Sequence, residues 1–340
     1  MPDSFSEMKS PSDLERFQLG EALGEGADMQ VFAATDLETG DDCVVKRPHP
    51  SLISRNIHDD VERRVSLQAR LRSGDVGIDN LPRLLAVTAL DDFEWYFGDN
   101  LKHAYSVQVE ERATGIPLLG SVRDQVRGHS VGLPINLFAL QPSTEHLQRN
   151  IEDPSLAVLR VIERCFDLGF LAGDLGPRNL FYSPATGDVT IIDLGSLRRP
   201  VSEGRRARAL DLNDILFEFF QFYTTPDSLP TSPEGFTQAR EQRHSGTLER
   251  MALSMSETYS TASDAGQRNA AEAILESVSK RAYHSVADFR SDFQTYLFEA
   301  ASRPRNAATD GAWSSALERL REAYWAKYLF DADLELSHYS

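Results

Sequence analysis

The pattern that most constrains this chain runs from Leu156 to Gly195. An apolar helical stretch, Leu156 to Phe170, leads into the loop Leu171-Ala172-Gly173-Asp174-Leu175-Gly176-Pro177-Arg178-Asn179-Leu180. A strand pair turning around Ala185-Thr186-Gly187-Asp188 follows, and then Ile191-Ile192-Asp193-Leu194-Gly195. Asp and Asn are common turn residues, so each match alone carries little weight. Their order and structural context carry the argument. A carboxylate that accepts the proton of an attacking hydroxyl, with an amide and a second carboxylate that hold magnesium beside a transferring phosphate, is what phosphoryl transfer requires. Asp174, Asn179 and Asp193 fit those three roles in that order.

Composition narrows the setting. A chain of 340 residues allows about two domains. Its net charge of −17, from 35 basic and 52 acidic side chains, repels phosphate backbones and argues against nucleic acid as a main partner. No apolar run approaches membrane-spanning length, and Met1-Pro2-Asp3-Ser4-Phe5-Ser6-Glu7 lacks a signal-peptide pattern, so we expect a cytoplasmic protein with no membrane partner. The two cysteines, Cys43 and Cys165, fit a reducing compartment and exclude a Cys-based zinc site.

After a polar arm, residues 17 to 46 alternate as three strands with turns at Gly24-Glu25-Gly26 and Glu38-Thr39-Gly40. Residues 56 to 72 read as a helix with Ile57, Val61, Val65 and Leu71 near one face, and strands are expected near Leu84 to Leu90 and over Ala104 to Val109. From about Glu111 the pattern turns mostly helical, with a long connecting loop from Thr224 to Gly246 rich in Pro, Ser and Thr.

In this order the features resemble the protein kinase superfamily, in particular bacterial kinases of the eukaryotic-like Ser/Thr type, over roughly residues 15 to 298. Leu23-Gly24-Glu25-Gly26-Ala27-Asp28-Met29-Gln30-Val31-Phe32 resembles the glycine-rich loop, and Val44-Val45-Lys46 the strand whose lysine holds the α- and β-phosphates of ATP. The resemblance implies a carboxylate on the next helix to hold that lysine; Glu62 is the choice in Asp60-Val61-Glu62-Arg63-Arg64-Val65, with Asp59 and Asp60 as alternatives. Val109-Glu110-Glu111-Arg112 resembles the hinge whose backbone bonds adenine, and Phe181 lies where an aliphatic residue commonly sits under adenine. Asp211-Leu212-Asn213-Asp214-Ile215-Leu216 resembles the central helix whose leading Asp braces the catalytic loop, and Ala282 to Phe289 the stretch opening the last helices.

The departures from the family are specific. Its His-Arg before the catalytic Asp is Ala172-Gly173 here, and its Lys two residues after that Asp is Gly176, for which Arg178 is the substitute charge. Val44 replaces a usual Ala, and Met29 stands where the third glycine of the loop would be. Ala172, Leu194 and Ser66 fall in the internal apolar column of the family. Asp211 follows Asp193 so closely that an activation segment of ordinary length does not fit. That short segment is basic, with Arg198, Arg199, Arg205, Arg206 and Arg208, and reads either as a dock for an acidic or phosphorylated substrate or as a solvated loop whose arginines pair with nearby carboxylates.

The expected architecture is therefore α+β and bilobal: an arm over 1–14, an N-lobe over 15–110 made of a small antiparallel sheet plus one helix, a mainly helical C-lobe over 111–300, and a helical extension over 301–340. Within that extension, Trp313, Leu317, Leu320, Tyr324 and Tyr328 form one face of an amphipathic helix. The resemblance implies ATP and Mg2+ as cofactors. Asp174, Lys46 and Arg178 would be the catalytic residues, and Asn179 and Asp193 the metal ligands. Nucleotide contacts would come from Gly24, Gly26, Val31, Val44, Lys46, Glu62, Glu110, Glu111 and Phe181. The phosphoacceptor is a protein or a small molecule, and a protein partner is expected at the C-terminal helix or the Arg198–Arg208 loop. Beside a Ser/Thr-type kinase stand two alternatives, a nucleotide-binding scaffold without turnover and a small-molecule kinase.

Overall fold

The structure, a computed structural model, describes residues 6–8, 13, 15–25, 29–54, 80–88, 107–113, 115–117, 125–126, 129–130, 153–176, 179–182, 188–194, 196–198, 211–224, 247–260 and 265–301. It is α+β, and the chain divides into two compact units, Met1–Ala113 with Gly195–Leu197, and Thr114–Leu194 with Arg198–Ser340. Among the described residues no helix is long and apolar enough to cross a membrane.

The first unit is built on a sheet. Strands β1 (Ser6–Met8), β2 (Phe17–Glu25), β3 (Met29–Asp36), β4 (Asp42–Pro48), β5 (Leu84–Thr88) and β6 (Gln108–Glu111) lie in the order β1-β5-β6-β4-β3-β2, and helix α1 (Pro50–Ser54) follows β4. Strands β2 to β6 pair antiparallel, while β1 adds to β5 in parallel, with Ser6 opposite Ala86. The expected arm thus contains a three-residue edge strand, too short to show an alternation of its own. The turn expected at Glu38-Thr39-Gly40 is present, and Gly40, at φ +80°, adopts the left-handed backbone that a side chain would strain. Arg16 donates to both carboxylate oxygens of the buried Asp36, at 2.9 and 2.6 Å, where β3 enters this turn.

Strand alternation divides the sheet into two chemically different faces. Phe17, Ala34, Cys43, Val45, Ala86, Val107 and Val109 form one apolar core cluster, with Leu19 and Leu85 packed against it. The residues between them on β4 and β6, Val44 and Lys46 with Gln108 and Glu110, fall on the opposite face, because Val45 is registered on Val109, Lys46 on Gln108 and Val44 on Glu110.

The second unit begins with strands β7 (Ile116–Pro117), β8 (Gln125–Val126) and β9 (His129–Ser130), and then helix α2 (Pro154–Asp167). Asp153 caps α2 by accepting from the Ser155 backbone N–H at 2.9 Å, and Pro154 sits in the first turn, where no donor is needed. Gly169, at φ +80°, turns the chain out of the helix. Then come β10 (Leu171–Gly173), β11 (Leu180–Tyr182) and β12 (Val189–Ile191), with β11 between β12 and β7 in a three-stranded antiparallel sheet; β13 (Ser196–Arg198) is next in the chain, its first two residues belonging to the first unit. Four helices follow: α3 (Leu212–Tyr223), α4 (Leu248–Ser260), α5 (Ala265–Ser279) and α6 (Val286–Ala301).

Helix α3 is the centre of this unit. Nine of its residues are buried, from Leu212 to Tyr223, which marks a helix enclosed on most sides. Phe219, Phe220 and Tyr223 join Tyr259, Phe289, Phe293 and Tyr296 in a cluster of edge-to-face, stacked and tilted rings with neighbouring centroids 4.8 to 6.4 Å apart. Asp211 and Asp214 form a reciprocal cap at the start of α3, and the Arg281 guanidinium pairs with both carboxylates. The Asn213 side chain bonds the Tyr283 backbone in both directions, at 3.0 and 3.2 Å, tying α3 to the turn before α6.

Candidate functional site

Of the expected site residues, Gly24, Val31, Val44, Lys46, Glu110, Glu111, Asp174, Asn179, Phe181 and Asp193 lie among the described residues. Gly26, Glu62 with Asp59 and Asp60, Ser66, Arg178, the arginines at 199–208, the loop 225–246 and the extension 302–340 lie outside them.

In the first unit, Lys46 extends from the middle of β4 on the face away from the apolar core, opposite Gln108 on β6 and Val31 on β3. Its ammonium reaches diagonally to Glu110, two residues along β6, with Nζ 2.7 Å from Oε2. The Lys46 side chain is 11% exposed and that of Glu110 is fully buried. The Gln108 side-chain amide donates to the other Glu110 oxygen, Oε1. Glu110 and Glu111 were expected to act through their backbone. The Glu111 N–H donates to the Arg83 carbonyl at 2.9 Å and the Arg112 N–H to the Asp42 carbonyl, so those two donors serve the sheet. Gly24 sits opposite Val31 with open space where a Cβ would stand.

In the second unit, Asp174 is one of three described non-glycine residues with positive φ, at +57°. That conformation costs on the order of 1 kcal/mol or more for a residue with a Cβ, and Asp tolerates it better than most. It persists because neighbours hold it from both sides. The Asp174 N–H donates to Glu218 Oε1 on α3 at 2.6 Å, and its carbonyl accepts from Asn179 Nδ2 at 3.0 Å. The rest of the loop is fastened in the same way. The buried Tyr223 hydroxyl donates to the Leu175 carbonyl at 2.6 Å, and the Asn179 N–H to the Gly176 carbonyl at 3.0 Å. Burial, with the Asp153 charge adding to it, pushes the Tyr223 phenol well above its ordinary range, so it remains a donor.

Asn179 and Asp193 reach the same end of the β11–β12 hairpin. Leu180 is registered on Ile191, and the Ile192 N–H donates to the Asn179 carbonyl at 2.9 Å, which leaves Asp193 one residue beyond. Phe181 occupies the middle of β11 between Thr190 and Pro117. Ala172 and Leu194, expected in an apolar column, are both buried.

Two features were missed in the sequence. The brace on Asp174 comes from Glu218, two turns into α3. Asp211, the expected brace, caps the helix and pairs with Arg281 instead. Gly176 is packed closely: a Cβ there would lie 3.2 Å from the Phe222 ring. Neither contact has a local signature, since Glu218 and Phe222 are more than 40 residues away along the chain.

Metal chemistry can be weighed from the donor set. Among the described residues no group of three or more His, Cys, Asp or Glu side chains is gathered as a metal cage. An amide oxygen and one or two carboxylates suit magnesium, which keeps several waters and takes phosphate oxygens as its remaining ligands. Asn179 and Asp193 carry donors of that kind, and with Asn179 Nδ2 bonded to the Asp174 carbonyl the amide oxygen is the atom that could hold a metal. Burial pushes the Cys43 thiol up to about 11 and the Cys165 thiol up to about 12, so neither is a thiolate nucleophile near neutrality. In comparisons with known proteins, no family model and no curated protein matches this chain.

Proposed function

We propose that the chain is an ATP- and magnesium-dependent phosphotransferase on a protein-kinase-like fold, moving the γ-phosphate of ATP to a hydroxyl group as a Ser/Thr-type protein kinase. The observation that carries this reading is the loop around Asp174. A strained residue is fixed through its backbone by Glu218 and Asn179, so its carboxylate is not spent on holding the loop. Strain maintained in this way is characteristic of functional positions.

In this reading the Asp174 carboxylate accepts the proton of the attacking hydroxyl. The hydroxyl oxygen bonds to the γ-phosphorus as the bond to the β-phosphate oxygen breaks, and ADP leaves. Lys46 holds the α- and β-phosphates by charge. Magnesium, held by Asn179 and Asp193, would supply neutralisation of the phosphate charge when bound. Glu218 acts through the Asp174 backbone and is a positioning residue.

The test is transfer of label from γ-labelled ATP with magnesium, comparing wild type with Asp174→Asn, which keeps the size and left-handed tolerance of the residue and removes the base. We expect the variant to bind MgATP as before and to lose at least about 100-fold in transfer. Equal labelling by the two proteins would remove Asp174 from the role. The packing of Gly176 on Phe222 favours a second reading, a nucleotide-binding scaffold, because it occupies the place of a lysine that touches the transferring phosphate. MgATP-induced thermal stabilisation with no transfer from the wild type would select it.

A further inference from the structure

We infer that Glu110, on the strand beside Lys46, is the positioning residue for the Lys46 ammonium, with Gln108 fixing Glu110. What Lys46 holds rests on the phosphotransferase reading; the pairing itself does not.

A buried carboxylate without a cation is among the costliest groups in a folded chain, and Glu110 is fully buried. Both of its oxygens are engaged within the sheet, Oε2 by Lys46 and Oε1 by the Gln108 amide. The order of the strands makes this possible. Lys46 and Gln108 face each other, and Glu110 is the diagonal neighbour on the same face, within reach of a long lysine side chain. Strand register fixes all three side chains relative to one another, since a slip of one residue would send them to the apolar core face. The sheet that carries the ammonium thereby also supplies a carboxylate that sets it.

The pairing is tested on the full chain without any ligand, by thermal unfolding of wild type, Glu110→Gln, Lys46→Met and the double variant. Removing the charge of Glu110 takes away the carboxylate 2.7 Å from the buried ammonium, and we expect Tm to fall by about 5 °C or more. In the Lys46→Met background the same change should cost much less. Additive losses would overturn the pairing.

Positioning is tested by calorimetric titration of MgATP well below Tm, with Val45→Ala as a purely structural control on the core face. Glu110→Gln should weaken MgATP by about 10-fold or more, about 1.4 kcal/mol. Val45→Ala should lower Tm with affinity within about 2-fold. Affinity that follows Tm in both variants would mark a merely structural role and overturn positioning. So would a loss of affinity in Glu62→Gln with none in Glu110→Gln. If wild type binds no MgATP the phosphotransferase reading fails, while the unfolding cycle still decides whether Glu110 holds Lys46.

Discussion

Lys46 and Asp174 are held in opposite ways. Lys46 stands on a regular strand whose backbone needs no help, and its side-chain tip is captured by Glu110. Asp174 stands in a loop whose backbone is strained, and the capture is of the main chain, by Glu218 and Asn179. A group that works by fixed charge can be immobilised at its tip. In the proposed reading Asp174 must accept and return a proton, which needs an available tip, so the constraint falls on the backbone. If this contrast is correct, substitutions at the two positions differ in kind.

The largest effect that sharpens the contrast is expected at Glu218. Glu218→Ala leaves the Asp174 N–H without its charged acceptor in a part-buried loop, and should cost about 2 kcal/mol of stability and at least about 10-fold in transfer. Glu218→Gln keeps an acceptor in place and should recover most of the stability. Denaturant unfolding and the labelled-ATP assay on both variants read this. Transfer unchanged in Glu218→Ala would show that the backbone of Asp174 needs no brace.

A smaller effect tests strain directly. On a strand, Gly is worse than Ala because it has more freedom to lose, so Lys46→Gly should be less stable than Lys46→Ala. At φ +57° the order should invert, with Asp174→Gly more stable than Asp174→Ala by about 1 kcal/mol. Both pairs are compared by chemical denaturation. Equal stability of the two Asp174 variants would break the comparison, since it would place no strain at that position.

These residues also show what could be read from the chain. The meander of β2 to β4 was legible because alternation and a turn glycine are local, and Lys46 fell on the expected strand. Helix α2 was legible from its apolar spacing, although its start, set by the Asp153 cap and Pro154, precedes the first apolar residue that marks it. The hinge reading gave the Glu110 side chain no role because a sequence does not state which strand lies beside which; register alone puts Glu110 diagonal to Lys46. Glu218 was invisible for a stronger reason. It is one of two carboxylates in a mostly apolar helix, 44 residues from the N–H it accepts, and only the packing of α3 on the loop joins them. The residues proposed to carry chemistry were therefore easier to pick out than the residues that hold them.

The smallest expected effect concerns pH. Asp153 caps α2 and is pushed up to about 6, first by burial, with the bonds from Ser155 opposing the shift. A carboxyl that ionises later in the folded protein than in the unfolded chain favours folding below its ordinary value near 3.8, and that contribution fades as pH rises through about 6. Stability should therefore decline between about pH 4 and 7 from this group, by less than the roughly 3 kcal/mol that a shift of this size would carry in a fully buried group, because Asp153 is part-exposed. Asp153→Asn is as good a cap and does not titrate, so it should remove that decline. Because the ionised Asp153 also acts on Tyr223, whose hydroxyl holds the Leu175 carbonyl beside Asp174, the same substitution should flatten any matching pH dependence of transfer. Parallel pH series of Tm for wild type and variant decide it: identical slopes would show that the cap does not titrate in this range, and would leave the Asp174 loop insensitive to Asp153.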